Sequence, residues 1–223
     1  MNAAKPALTP EQRSFLEALF TDDAAFEEDA LRVYASDASL RRGPVLAMVR
    51  PRTVEQVREL MRWAEVERIP IHPRGRGTSL SGGCVPTRAG VVVSMLGMDR
   101  ILDISSEDFV AVIEPGVNTL AFQQACEQKG LFYPPDPASG KATSVGGNVM
   151  TCAGGLRAVK YGVTRDYVLG MEAVLPGGKL LKLGGRTHKD VIGLDISRMF
   201  VGSEGTLGIV TKLYLKLLPK PES

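Results

Sequence analysis

Apolar residues recur at helical spacing in two stretches near the start of the chain. In "TPEQRSFLEALF", Phe15, Leu16, Leu19 and Phe20 share one face. Thr9 stands as N-cap, Pro10 at the first helical position and Gln12 at the third, a capping box that predicts a helix. In "PVLAMVRPRTVEQVRELMRWAEVERIPIHPRG" an apolar run precedes Thr53 and Gln56, a second capping box, and then Val54, Val57, Met61 and Ala64 at helical spacing. Strand, helix and short strand are expected in that order.

The β-branched run "AGVVVSM" predicts a further strand, and "RILDISSEDFVAVIEPG" a hairpin that turns at "SSED". Asn118 caps a helix over "TLAFQQACEQK", and Gly130 stands where a left-handed residue closes it. From Tyr133 onward glycine and proline are dense, so "YPPDPASGKATSVGGNVMTCAGGLRAVKYG" has room for one or two short helical turns between irregular segments. Irregular segments of that length are usually functional. The patterns of "YVLGMEAVLPGGKLLKLGG" and "GSEGTLGIVTKLYLKLLPKP" are those of antiparallel strands. The expected class is α+β. A composition shift at Gly97 to Arg100 marks the boundary between two α+β subdomains, 44–98 and 99–218, which an N-terminal helical segment 1–43 precedes and the start of a linker at 219–223 follows.

Composition narrows the function. Of 223 residues 44% are hydrophobic and 23% charged, enough for a sizeable core. Lys plus Arg number 27 against 25 for Asp plus Glu, well interspersed, which argues against nucleic acid or an anionic membrane as partner. Cys84, Cys126 and Cys152 are odd in number and form no CxxC pair, so neither a disulfide framework nor a zinc site is expected. No targeting segment or membrane span is read, and the expected compartment is the cytoplasm.

The stretch "PRGRGTSLSGG", Pro73 to Gly83, has the make-up of a loop that wraps an anion. A dinucleotide fingerprint of the doubly wound type fails, because its third glycine position is Leu80 and the loop leads to a strand rather than a helix. A Walker A loop fails for want of its lysine, the residues at that distance from Gly77 being Gly82, Gly83 and Cys84. What remains is a turn whose consecutive backbone N–H groups point inward. Gly75, Gly77, Gly82 and Gly83 permit it, Thr78, Ser79 and Ser81 add hydroxyls, and Arg74 or Arg76 offsets the charge. Two more clusters, "SVGGNVMTCAGG" at Ser144 to Gly155 and "GSEGTLG" at Gly202 to Gly208, carry a similar entropic cost. Together the three outline a long ligand with a flat part, such as a dinucleotide bearing a planar ring.

These motifs, with "PPDP" at Pro134 to Pro137, "KYG" at Lys160 to Gly162 and "FVGSEGTLGIVT" at Phe200 to Thr211, resemble the FAD-binding domain of the vanillyl-alcohol oxidase / p-cresol methylhydroxylase (PCMH-type) family. Within it they look like the glycolate oxidase and FAD-linked D-lactate dehydrogenase type, from about Pro44 to Pro219. The resemblance implies a PCMH-type fold of two α+β subdomains with FAD between them. It implies that Arg74 to Gly83, including Leu80, cradle the pyrophosphate, and that Pro135, Ser144, Gly146, Gly147 and Asn148 lie along the ribityl chain and isoalloxazine. Gly154 and Gly155 would sit near the ring edge, with Tyr161 and Gly162 following. Gly205, Gly208 and Ile209 would meet the adenine side or the pyrophosphate.

Some members tether the flavin through a histidine at the first loop; here the corresponding glycines are followed by Cys84, and noncovalent FAD is expected. Cys84 reads as a small residue packed behind the loop, with flavin attachment as the alternative. His72 reads as a packed or cofactor-adjacent neutral imidazole and His188 as an exposed loop residue, so no catalytic residue is assigned. Arg157, Lys160 and Tyr161 face either the flavin or solvent. Glu204 reads as a turn cap or as the group that orders the neighbouring loop. No metal-spaced cluster is present. The resemblance implies hydride transfer from a small 2-hydroxy acid to FAD, with the substrate gripped by a C-terminal domain absent from this chain, and partner subunits or an electron acceptor beyond it. Two alternatives stay open: an FAD-binding module without turnover of its own, and an oxidase or reductase of another substrate on the same scaffold.

Overall fold

A computed structural model describes residues 6–221. Residues 1–5 of the expected N-terminal segment and 222–223 of the expected linker lie outside the described residues.

Helix α1, Pro10–Phe20, begins with the full capping box between Thr9 and Gln12 and buries Leu16 and Phe20. A short strand β1, Ala24–Ala25, and one helical turn α2, Glu28–Leu31, lead into β2, Val45–Val49. Helix α3, Val54–Glu67, follows with Thr53 as N-cap. Only half of the expected second box forms. The Thr53 side chain accepts from Gln56 N–H, but Gln56 Oε1 accepts from Arg52 N–H at 2.8 Å and its amide reaches Leu19 O, so this glutamine ties α3 to α1 instead. Phe15 stacks on Trp63 at 5.1 Å across the same helix pair.

Strands β3, Ile71–Arg74, and β4, Gly90–Ser94, run parallel to each other, and β4 runs parallel to β2. With β1 antiparallel at the edge the sheet order is β1-β2-β4-β3. β4 is buried throughout, as a central parallel strand requires. The first glycine loop leaves the carboxyl end of β3, the side on which parallel sheets place ligands.

The chain then forms the expected hairpin of β5, Ile101–Ser105, and β6, Val110–Ile113. Next come α4, Thr119–Glu127, capped by Asn118, and β7, Leu131–Phe132. Two short helices follow, α5 at Val145–Thr151 and α6 at Ala158–Tyr161. Strands β8, Val168–Val174, and β9, Leu180–Gly184, the turn α7 at Ser197–Phe200, β10 at Ile209–Lys216 and β11 at Leu218–Pro219 complete the chain. β5-β6-β10-β8-β9 make an antiparallel sheet, and β11 pairs with β7. The class is α+β, as expected.

One apolar cluster gathers Leu16, Phe20, Val49, Val57, Leu60, Val91 and Val93 beneath the parallel sheet. A second gathers Ile113, Phe122, Tyr133, Met171, Leu213 and Leu215 under the antiparallel one. Val174 and Ile209 come from the antiparallel sheet yet belong to the first cluster, so the two sheets share packing at the point where β10 starts. Each fully buried aliphatic side chain contributes roughly 1.5–3 kcal/mol to holding this seam together. Among the described residues no helix is long and apolar enough to cross a membrane.

Candidate functional site

The three glycine segments meet in one cleft of about 410 Å3. They meet through positions where a side chain is missing. A Cβ on Gly75 would lie 2.6 Å from Ser144 Oγ, so the first loop rests on the start of α5. A Cβ on Gly83 would lie 2.6 Å from Glu204 Cδ, and one on Gly205 would lie 3.2 Å from Pro73 Cγ, so the first loop rests on the third segment as well. The second and third segments are joined by backbone bonds, Gly202 N–H to Val149 O at 3.1 Å and Glu204 N–H to Met150 O at 2.8 Å.

Within the first loop Gly77 takes φ +67, and a Cβ there would sit 2.5 Å from Arg74 Cζ. The positive φ is what favours glycine, and the guanidinium fills the space beside it. Among the described residues no protein acceptor takes the backbone N–H groups of Arg76, Gly77, Thr78, Ser79 or Leu80. A run of free donors on bare backbone, with Arg76 exposed beside it, has the donor set that phosphate oxygens need.

The hydroxyls are less free than the sequence suggests. Thr78 donates to Thr143 Oγ1 at 3.3 Å, Thr143 donates to Asn148 Oδ1 at 3.0 Å, and Asn148 Nδ2 donates to Thr119 Oγ1 at 2.8 Å. Ser81 donates to Glu204 Oε1 at 3.3 Å and lies 2.8 Å from Ser79 Oγ. Thr78 and Ser81 therefore have their protons committed inside the protein, and what Thr78 presents outward is a lone pair. Glu204 orders the first loop, one of its two expected roles.

The second segment holds one of the short helical stretches expected between Tyr133 and Gly162: Ser144 caps α5, accepting from Gly147 N–H at 3.4 Å. The two glycines are tolerated in this helix because Gly146 packs against Pro115, leaving no space for a Cβ, and because Asn148, 2% exposed, is anchored on both sides. Glycine disfavours helix interiors, and tertiary packing overrides that preference here.

The cleft brings together Arg74, Gly75, Arg76, Gly77, Thr78, Ser79, Leu80, Gly83, Ser144, Gly146, Gly147, Asn148, Gly154, Gly205, Gly208 and Ile209. Five expected residues lie off its lining. Gly82, φ +82, turns toward Arg41 and Ser39. The Pro135 carbonyl accepts from Gln123 Nε2 at 2.8 Å and so faces α4. Gly155 packs on the Asp136 backbone. Tyr161 stands edge-on to Phe132 at 5.5 Å while its carbonyl accepts the Tyr167 hydroxyl at 2.6 Å. Gly162, φ +87, ends α6 beside the Asp166 carboxylate. Arg157 and Lys160 stand with this outer group, Arg157 over Phe132 and against Asp136, Lys160 over Tyr161.

The lining also includes residues the sequence did not single out. Met95, Pro115, Met150 and Val210 supply an apolar wall, and Thr143, Thr151, Cys152 and Ala153 line the α5 side. Pro115 is marked by its Pro-Gly turn and Thr143 by its neighbour Ser144; Met95 and Val210 look like any core residue in the sequence.

Neither histidine lines the cleft. His72 Nε2 lies 3.0 Å from Arg88 O, and burial pushes its pKa down. His188 is exposed, with Nε2 2.7 Å from Asp108 O. Cys84 does line the cleft, half-buried, with Arg74 Nη1 donating to its sulfur at 3.4 Å; burial pushes its thiol pKa up.

The sequence profile of the FAD binding domain family matches residues 45–184, more than half of the chain. The chain belongs to this family. FAD is its cofactor, and the free donors and bare backbone of the cleft fit that nucleotide. This FAD-binding chain is 50% identical over 177 residues to the glycolate oxidase subunit GlcD of Bacillus subtilis (strain 168), an alignment covering 79% of the chain and 38% of the relative. It is 45% identical to a D-lactate dehydrogenase of Anaerostipes hadrus, covering 79% and 37%. With a D-2-hydroxyglutarate dehydrogenase of Stutzerimonas stutzeri (strain A1501) it shares 38% over 97% of its own length and 46% of the relative's. The chain thus spans less than half the length of these relatives. Among solved structures it superposes on an alkyldihydroxyacetonephosphate synthase with TM-score 0.87 and 26% identity, covering 100% of the chain and 43% of that one. On p-cresol methylhydroxylase the TM-score is 0.82 at 24% identity, with coverages of 97% and 45%, a likeness of fold.

Proposed function

We propose that the chain is the FAD-binding portion of a flavin-dependent dehydrogenase of small 2-hydroxy acids, of the glycolate or D-lactate kind. The observation that carries the reading is the run of backbone N–H groups from Arg76 to Leu80, free of protein acceptors and belonging to residues that line the cleft where all three glycine segments meet. When bound, FAD supplies the hydride acceptor.

The chain's own residues position and shield it. The free N–H groups and Arg76 hold the pyrophosphate. Gly146 and Gly147 offer bare backbone to the flat ring, and the apolar wall of Met95, Pro115, Met150 and Val210 keeps water from it. Gly205, Gly208 and Ile209 close the nucleotide from the antiparallel sheet. In this reading residues 44–98 and 99–218 act as two subdomains with FAD between them. The flavin is held noncovalently in this reading, because burial and the neighbouring Asp37, which accepts the Cys84 thiol proton, outweigh the Arg74 charge and disfavour the thiolate, the form that would have to act as nucleophile. The 2-hydroxy acid is gripped by a following domain of the kind the longer relatives have room for.

A second reading, an FAD-carrying module without turnover of its own, is favoured by one feature: among the described residues the cleft is lined by no histidine or lysine able to take the hydroxyl proton. Reconstitution with FAD tests both. The expected preparation is yellow and releases its flavin on denaturation; a colourless protein that ignores added FAD overturns the cofactor site. Anaerobic bleaching by glycolate, D-lactate or D-2-hydroxyglutarate supports dehydrogenation by this chain, and a yellow protein that none of them bleaches favours the carrier.

A further inference from the structure

Residues 31–43 precede the part of the chain matched by the family profile, yet they run along the outer side of the first glycine loop. Ala38 N–H donates to Gly77 O at 3.1 Å. Arg74 Nη2 donates to Val33 O at 3.2 Å, and the guanidinium lies 5.9 Å from the Tyr34 ring centroid. The Cys84 thiol donates to Asp37 Oδ2 at 3.8 Å. Further along, a Cβ on Gly82 would lie 3.0 Å from Arg41 Cδ, and one on Gly43 would lie 2.8 Å from the Pro86 carbonyl carbon. The loop from Arg74 to Pro86 is therefore held between the cleft on one side and this segment on the other.

Arg74 is the joint between them. It is 6% exposed and lines the cleft, and among the described residues it forms no ion pair. Its direct partners are a carbonyl, a thiol and an aromatic ring, and the buried Asp37 carboxylate stands beyond the thiol, accepting from Cys84 rather than from the guanidinium. A buried guanidinium with no carboxylate in direct contact favours the arrival of an anion. The residues that carry the loop's free N–H groups line the same cleft, so an anion bound against them is next to Arg74 as well.

We propose that residues 31–43 are a working part of the FAD site: Val33 and Tyr34 fix Arg74, and Ala38 fixes Gly77, beneath the backbone that holds the pyrophosphate. The inference rests on the reading that the cleft holds FAD. Arg74 and Tyr34 are positioning residues in this scheme. By linkage, if docking of the segment tightens FAD binding, FAD stabilises docking of the segment by the same factor.

Two measurements on the full chain test this. Hydrogen exchange of the Ala38 amide, read residue by residue, is expected to slow when the wild type is saturated with FAD. FAD affinity, followed by flavin fluorescence, is expected to fall about tenfold in Tyr34→Ala and to recover in Tyr34→Phe, which keeps the ring under the guanidinium. A wild type that binds FAD with unchanged exchange at Ala38 overturns this inference alone, and that experiment decides even if Tyr34→Ala fails to fold. A folded Tyr34→Ala that binds FAD as tightly as the wild type overturns it too. A wild type that takes up no FAD overturns the cofactor reading and this inference with it.

Discussion

Gly146 lies so close to Pro115 that a Cβ on it would sit 2.5 Å from the proline Cβ and 2.7 Å from its carbonyl oxygen. The same backbone approach carries a hydrogen bond, Gly146 N–H to Pro115 O at 2.8 Å. Neither neighbour can swing away, since one is a ring and the other main chain. Gly146→Ala is expected to cost about 1–3 kcal/mol in urea unfolding and to weaken FAD binding by shifting α5.

Gly83→Ala provides the contrast. The atoms a new methyl would meet there belong to the end of the flexible Glu204 side chain, which can rotate aside at the cost of its bond from Ser81. A stability loss of about 0.5–1.5 kcal/mol is expected, smaller than at Gly146. Equal losses at the two sites would mean that Glu204 is held as rigidly as backbone.

Asn148 connects the first loop to α4 through Thr143 and Thr119. Asn148→Ala would leave both hydroxyls without their buried partner and is expected to cost about 1–3 kcal/mol. Thr78, at the far end of the chain of bonds, would lose the direction of its hydroxyl, so FAD affinity should fall by more than the change at Asn148 alone would suggest.

His72 gives the protein a pH dependence with a definite sign. Burial lowers its pKa in the folded chain below the ordinary value of 6.5, so as pH falls through that value the unfolded chain binds the proton more readily. Stability should therefore decline below about pH 6.5 and be insensitive to this residue above it. Thermal unfolding of His72→Gln across that range is expected to show a shallower acid-side decline than the wild type.

Cys84→Ser keeps a group able to accept from Arg74 and donate to Asp37. With noncovalent flavin it should take up FAD nearly as well as the wild type, and both should release all flavin on denaturation. Flavin that stays with the denatured wild type but leaves the serine variant would place the attachment at this thiol.

Much of this architecture is local and was legible as such. Thr9 with Gln12, Thr53 and Asn118 announce helix starts because an N-cap satisfies backbone donors within three residues of itself. The alternation in Leu213, Tyr214, Leu215 and Lys216 announces a strand because a sheet has one face in the core. The glycines at 75–83, 146–147 and 202–208 mark where bare backbone is needed, which outlined a long ligand with a flat part, while the flavin itself came from the resemblance of the ordered motifs to a known family. The partner that each glycine admits was a matter for the tertiary structure. Gly75 meets Ser144, Gly83 meets Glu204 and Gly146 meets Pro115 across separations that no local pattern encodes. For the same reason "PPDP" and "KYG" share in the motif order and yet pack outside the cleft lining, around Phe132 and Asp136. The half-formed box at Thr53 and the docking of residues 31–43 on Arg74 follow suit. A side chain's type limits what it can bond to, but only the folded chain brings one of the many possible partners within reach.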